Sequence, residues 1–452
     1  RAYFYIRVRT VFPSLFSQED NQVLGDWFNA IRQRALKAGW VDRLYALALA
    51  KLPEGPYENQ ETGSGLLALL EWMAARYPTV RDDPSQQKAL DYLNRNRRGW
   101  LARFRNSDDV YYYQTEWIYN AYFQSFLQGE TRPENAQLSL LWLYLQALPD
   151  GTPLRYNHPA LVSLAEIAYF GAGLLKDEHS VWYAGRSLDK LASETGLLFA
   201  RPGMDAVLDM SGVSPTWGSC LMYGNSGLPN QIGPLGPDKI VFRDGWSDDS
   251  AYLLLNLRFT GWHRYKATNT VVLFYQHGPL AVENMSGEVI SWVPVGRSLF
   301  RDKRIPRENL NGLVIERTGL SAVVHALTGA GGPWAQDPPH FSKVEYFKTG
   351  SQFDSSSSLI ESWRGWHQRR RVYFYHHGPV VLLDEANGPA ANRSALIWHV
   401  PLDGPIPQTE PPWRFTLRQG LHPAEMILVP IGEGTLITQS EELNGMAGVQ
   451  IT

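Results

Sequence analysis

Four side chains stand out as able to move a proton or hold a carboxylate: Asn59, Gln60, Tyr119 and His263. Histidine serves as acid, base or carboxylate partner near neutral pH. The rival reading for His263 is a loop histidine beside Trp262. Tyrosine, with an ordinary pKa of about 10, needs a neighbouring positive charge or hydrogen-bond donor to act near neutrality. Tyr119 has Glu116 three residues before it, suited to holding the phenol or a basic group in place. Yet Tyr113, Trp117, Tyr119 and Tyr122 also form an aromatic stripe at helical spacing, the usual mark of a core. The amides of Asn59 and Gln60 can donate to a carboxylate, or they can cap the helix after the Gly63–Gly65 break. Arg258, Arg264 and Tyr265 flank His263 and would add anion-binding capacity. Arg155 and His158 follow an Asp150–Gly151 turn and line either a cleft or an ordinary surface loop.

The elements that must carry these residues change character along the chain. Residues from about 20 to 200 read as helices. Val23, Leu24, Trp27, Phe28, Ile31 and Ala35 recur at helical spacing, as do Leu66, Leu67, Leu70, Met73 and Ala74. A third helix runs through Trp117, Tyr119, Tyr122, Phe123 and Phe126. A fourth, through Leu138, Leu141, Trp142 and Leu145, ends at Pro149, and a fifth opens at Pro159. The first 16 residues are β-like and fit no clear element. From about residue 205, Gly and Pro become frequent and short apolar runs alternate with turns. Strands are expected over Val271–Tyr275, Leu313–Glu316, Val372–Tyr375, Val380–Asp384 and Ala395–Val400, in the manner of a β-sandwich. The expected division is a helical domain over 1–205 and an antiparallel β-domain over 206–452, with the junction in the Gly/Pro-rich stretch Val207–Pro237. One motif occurs twice: Val272, Phe274, Tyr275, His277, Gly278 and Pro279 return as Val372, Phe374, Tyr375, His377, Gly378 and Pro379. Each copy reads as a hairpin with an exposed turn histidine.

Composition narrows the partners. The chain has 452 residues, 44% of them hydrophobic, which suits two or three domains rather than one. A net charge of −3, with no basic stripe or tail, speaks against a nucleic-acid binder. Any acidic partner must be met by a local basic cleft. The 16 Trp and 22 Tyr suit a core, and equally a carbohydrate surface, because sugar C–H faces stack on aromatic rings. One cysteine, Cys220, permits no intrachain disulfide. The apolar stretches Leu44–Ala50 and Leu66–Ala75 are too short to be expected to span a membrane. The chain starts at Arg1, so a secretory signal preceding it is compatible with the sequence.

Several motifs together resemble the heparinase II/III-like polysaccharide lyases. The stretch from His263 through Asn269 into the apolar run ending at Glu283 is similar to that family's His-x-His-x-Asp segment, strand, Gly turn, strand and acid. His263 falls on the first His, Tyr265 on the second, Ala267 on the Asp and Glu283 on the later acid. Leu310–Glu316 resembles the family's His-Asn-Thr strand, with Leu310 in place of His. Asp109 to Tyr122 resembles a helical segment carrying a Tyr, Asn59–Gln60 an Asn-His pair, and Pro149–Gly151 a Pro-Asp-Gly turn.

The resemblance spans about residues 20–400 and implies an incomplete α/α toroid followed by an antiparallel β-sandwich. It implies cleavage of a uronate-containing acidic polysaccharide or oligosaccharide by β-elimination, in a cleft between the two halves. A secreted or periplasmic protein is expected for that role. Elimination requires neutralising the carboxylate, removing the C5 proton and protonating the leaving oxygen. The resemblance assigns these to Asn59 with Gln60, and to Tyr119 and His263. Substrate binding falls to Glu116, Tyr265, Arg258, Arg264, Trp262, Arg155 and His158. Relatives hold a structural zinc at positions that here are Tyr265, Glu283 and Leu310, so neither zinc nor another cofactor is expected. Losing the metal set while keeping Tyr119 and His263 fits a divergent lyase. It equally fits a decayed site serving glycan binding or exopolysaccharide assembly, since Gln60 replaces a histidine. A uronate C5-epimerase shares the proton abstraction. A glycoside hydrolase ranks last, because it needs two carboxylates facing one cleft, and although Asp108, Asp109 and Glu116 are candidates, no second cleft-side acid is identifiable.

Overall fold

The computed structural model describes residues 12–20, 22, 23, 25–27, 30, 141–151, 182, 183, 185, 186, 216–223, 237–257, 268–282, 311–315, 342–390, 394–404, 410–419, 421–431, 437–439 and 447–451. The chain forms two compact units, one of Arg1–Ser107, Tyr113–Leu140 and Asn225–Pro229, the other of Asp108–Tyr112, Leu141–Gly224 and Asn230–Thr452. The helices expected through Leu66, Trp117 and Pro159, and the boundary expected near 205, lie outside the described residues.

In the first unit, the described residues between 18 and 30 are helical, as the Val23–Trp27 spacing predicts. Ser17 starts that helix: its hydroxyl accepts from the Asp20 amide, and the Asp20 carboxylate accepts from the Ser17 amide. Before it, Pro13–Leu15 form a 3-10 turn, so the β-like texture of residues 12–16 does not become a strand there. Proline at the first helical position supplies a helical φ and lacks only an amide that would have no partner.

The second unit is built on antiparallel strands: β1 Cys220–Tyr223, β2 Pro237–Arg243, β3 Tyr252–Asn256, β4 Thr270–Tyr275, β5 Pro279–Val282, β6 Gly312–Ile315, β7 Lys343–Lys348, β8 Phe353–Trp363, β9 Trp366–Tyr375, β10 Val380–Asn387, β11 Ser394–Val400, β12 Trp413–Gln419, β13 His422–Leu428, β14 Ile437–Gln439 and β15 Ala447–Ile451. One sheet runs β1-β2-β3-β4-β5 and a second β10-β9-β8-β7. A third is ordered β14-β15-β11-β6, and β12 pairs with β13 alone. All five strands expected from sequence are present. The four-serine run of β8 lacked the alternating apolar signal and was not expected as a strand.

The sheets close on one apolar core. Ile240, Phe242, Leu253, Leu255 and Val271 of the first sheet meet Val372 and Phe374 of the second, with Trp398, Trp413 and Phe415 completing the layer. Phe242 stacks on Phe374 at 5.8 Å and meets Phe347 edge-on at 6.1 Å. Each such side chain contributes roughly 1.5–3 kcal/mol by leaving water, and together they make the sandwich.

The other face of the first sheet is covered by the helical residues 141–145, where the fourth helix is expected. Trp142 donates to Asp238 at 3.3 Å, and the Tyr252 hydroxyl donates to the Gln146 carbonyl at 3.0 Å. Arg243 donates to the carbonyls of Leu145 at 3.0 Å and Ala147 at 2.7 Å, at the partially negative end of the helix. Its guanidinium also lies 3.6 Å over the Trp246 ring. Burial lowers the Arg243 pKa to about 10, which leaves it charged at neutral pH.

Candidate functional site

The residues described around the expected site form two anchors. The first fixes the connection between β3 and β4, which contains Arg258, Trp262, His263, Arg264 and Tyr265. On its near side, the Leu257 amide donates to the Asp238 carbonyl at 3.0 Å. Ser342 donates to the Leu257 carbonyl with both its amide, at 2.8 Å, and its hydroxyl, at 3.1 Å. On the far side stands Asn269, fully buried with φ of 59°. Asparagine is among the few residues other than glycine that enter this left-handed region readily. Its Oδ1 accepts from Ser358 at 2.5 Å, and its Nδ2 donates to Gln368 at 3.3 Å.

At the centre of this anchor is Arg370, also fully buried. Its Nε and Nη2 donate to the two oxygens of Asp384 at 2.8 and 2.9 Å. Its Nη1 donates to the carbonyls of Asn269 at 3.1 Å and Asn311 at 3.0 Å. Asn311 returns bonds to the Val271 carbonyl at 2.9 Å and from the His399 amide at 2.7 Å. Beside it, a side chain at Gly312 would come within 2.7 Å of the Thr270 methyl, so glycine lets β6 approach β4. One buried ion pair therefore holds the end of the His263 connection and the residue after Leu310. A charge so enclosed meets no substrate, and its chemistry is to fix backbone.

The second anchor fixes the Asp150–Gly151 turn that precedes Arg155 and His158. The Tyr275 hydroxyl donates to Asp150 at 3.4 Å, and the Gly151 amide donates to the Leu148 carbonyl at 2.8 Å. Gly151 has φ of 80°, and a Cβ there would lie 2.3 Å from the Arg186 side chain. Burial and the carboxylates of Asp150 and Asp248 push the Tyr275 phenol well above its ordinary pKa, which keeps it protonated to donate to Asp150.

The repeated His-Gly-Pro motif forms two hairpin turns, β4–β5 in one sheet and β9–β10 in the other. His277 and His377 both take left-handed backbone, with φ of 55° and 53°, and both are exposed. The His277 ring stacks on His422 at 4.1 Å, and the His377 amide donates to Asp244 at 3.0 Å. Among the described residues, no group of three or more His, Cys, Asp or Glu side chains is arranged to hold a metal. The trio Tyr265, Glu283 and Leu310 offers no nitrogen or sulfur donor and does not fit zinc.

Every residue assigned a role from sequence falls outside the described residues: Asn59, Gln60, Glu116, Tyr119, Arg155, His158, Arg258, Trp262, His263, Arg264 and Tyr265. Sequence reasoning missed Asn269, Arg370 and Asp384. A signal for them was present: Arg370 and Asp384 lie seven residues before and after His377, and the hairpin pairs them. Arg370 also shares the inward phase of Val372 and Phe374, where a cation needs a partner.

No protein-family model matches the chain, and no curated protein matches it. Solved structures do. A heparinase III gene product aligns with 86% of this chain at 14% identity and a TM-score of 0.53. A crystal structure of heparinase III aligns with 86% at 11% identity and a TM-score of 0.57. The chain spans 57% and 58% of the lengths of those two proteins. At these identities the likeness is one of fold alone. Among the described residues, no helix is long and apolar enough to cross a membrane.

Proposed function

We propose that the chain is a polysaccharide lyase that cleaves a uronate-containing acidic glycan, of the glycosaminoglycan kind, by β-elimination. The observation that carries this reading is the fold likeness to heparinase III over 86% of the chain. The order of the sequence motifs, from Asn59 through Tyr119 to His263, supports it. In this reading the amides of Asn59 and Gln60 donate to the substrate carboxylate, so that the carbanion-like state does not carry two full charges. Tyr119 and His263 divide two proton transfers, one taking the C5 proton and the other protonating the O4 leaving group. Glu116 holds Tyr119. Arg258, Arg264, Arg155 and His158 meet neighbouring acidic groups, with Trp262 and Tyr265 against the sugar. The Arg370–Asp384 pair holds Asn269, where the stretch carrying His263 re-enters the sheet. A secreted or periplasmic protein fits such a substrate.

The test is a panel of uronate polysaccharides followed by the ultraviolet absorbance of the conjugated unsaturated uronate. A signal that disappears in both Tyr119→Phe and His263→Ala supports the reaction and both assignments. A signal indifferent to both variants keeps the reaction and rejects the site. A second reading, a non-catalytic glycan-binding protein, draws on Gln60 and Leu310 standing where relatives have histidine. It predicts binding without product. A C5-epimerase predicts exchange of the C5 proton into solvent without chain cleavage.

A further inference from the structure

The outward face of the β7–β10 sheet has no part in the reaction proposed above. Period-two alternation sends Tyr346 and Lys348 of β7, Phe353, Ser355 and Ser357 of β8, and Tyr373 and Tyr375 of β9 to this face. Phe347, Val372 and Phe374 point the other way, into the core. Phe353 stands directly across from Tyr375, and Ser355 from Tyr373. The serines of β8 are small and leave room above that strand. Tyr346 and Tyr373 stand on the strands either side of it. Ser357 faces outward yet is fully covered, and its hydroxyl donates to Glu345 at 2.6 Å. The Phe353 ring lies 5.2 Å from Tyr375 and 6.3 Å from Tyr373. Phe353 and Tyr375 remain 37% and 38% exposed, far more than the core rings. Phe353, Tyr373 and Tyr375 thus form one aromatic cluster, with Tyr346 on the same face.

The charges beside it are not balanced. Glu345 and Glu385, on the same face, are taken up by Arg369 and Arg371. Lys348 sits 5.6 Å over the Tyr346 ring, and among the described residues no carboxylate pairs with it. The unpaired charge next to the rings is positive.

We propose that this face is a binding platform for an acidic saccharide chain, with the Tyr346, Phe353, Tyr373 and Tyr375 rings against sugar C–H faces and Lys348 meeting an acidic group. Aromatic rings offer sugars an apolar face with a polar edge, and the cation selects for acidic polymers. The platform is separate from Tyr119 and His263, and it holds a polymer whether or not elimination occurs.

The test is affinity electrophoresis of the full chain through gels containing alginate, a polyuronate, with dextran as the neutral counterpart. Alginate retards the wild type and dextran does not. Phe353→Ala with Tyr375→Ala weakens the alginate affinity by about tenfold, as expected for losing two stacked rings. Lys348→Glu, which leaves all four rings in place, weakens it at least threefold by like-charge repulsion (about 0.7 kcal/mol). Unchanged retardation in both variants overturns the proposal, as does equal retardation by dextran. A change of oligomeric state in the double variant, seen on size exclusion, overturns it in favour of a second copy of this chain. Production of unsaturated uronate from short oligosaccharides stays at the wild-type level in these variants, so platform and reaction succeed or fail separately.

Discussion

Three consecutive arginines on β9 sit in two different environments. Arg369 and Arg371 point outward and form ion pairs with Glu345 and Glu385 in partial contact with water. Arg370, between them, points inward, fully buried against Asp384 and two backbone carbonyls. The sequence makes the three look alike, but a strand turns successive side chains to opposite faces. In water, the outer pairs gain little over hydration. Inside, an unpartnered charge is costly, so the inner pair ties together every element it touches.

The difference has measurable consequences. Arg370→Ala leaves the largely covered Asp384 without its cation and with only the Gln368 amide donating to it, and is expected to destabilise the β unit by about 3 kcal/mol in chemical unfolding. High salt will barely change that loss, because the pair is shielded from solvent ions. Asn269→Val combines lost hydrogen bonds with a left-handed backbone that a β-branched residue resists, at about 2–4 kcal/mol. Asn269→Gly keeps the backbone free and should cost about half as much. Equal losses for Val and Gly would show that the conformation is not what asparagine supplies.

The weaker, outer interactions are read through pH. The hydrogen bond to Asp354 raises the His376 pKa above its ordinary 6.5, against the opposing effect of burial. Its contribution is therefore complete below 6.5 and is lost as pH rises through the raised value. The melting temperature of the wild type should fall over that interval, and His376→Gln should flatten the curve. Glu345 behaves oppositely. Hydrogen bonds from Arg369 and then Ser357 hold it at about 2. Its contribution is present above its ordinary 4.5 and is lost as pH falls toward about 2. Arg369→Gln, with Ser357 still donating, should reduce that acid sensitivity while shifting the melting temperature near pH 7 only slightly, and added salt should shrink even this shift.

Strands made of short apolar runs beside a Gly-Pro turn were legible from sequence, as Val271–Tyr275 and Val380–Asp384 illustrate. β8 was not, because serine carries no burial signal, and Ser355–Ser358 are covered only through what their neighbours do. The inward charge of Arg370 was hidden in a basic run that reads as solvated surface until hairpin register is imposed. His263 and its neighbours from Arg258 to Tyr265 fall between β3 and β4, where the sequence carries no apolar period. What became visible is how the ends of one connection are held: by Leu257 on one side, and by Asn269 through Arg370 on the other.

The most direct test of the proposed reaction is mass spectrometry of the oligosaccharides released from a uronate polysaccharide in isotopically labelled water. Elimination predicts new non-reducing ends lighter by one water than hydrolysis products, with no label from solvent oxygen in the fragments at the moment of cleavage. Fragments that together gain one water per bond cleaved, with solvent oxygen incorporated, would contradict the account.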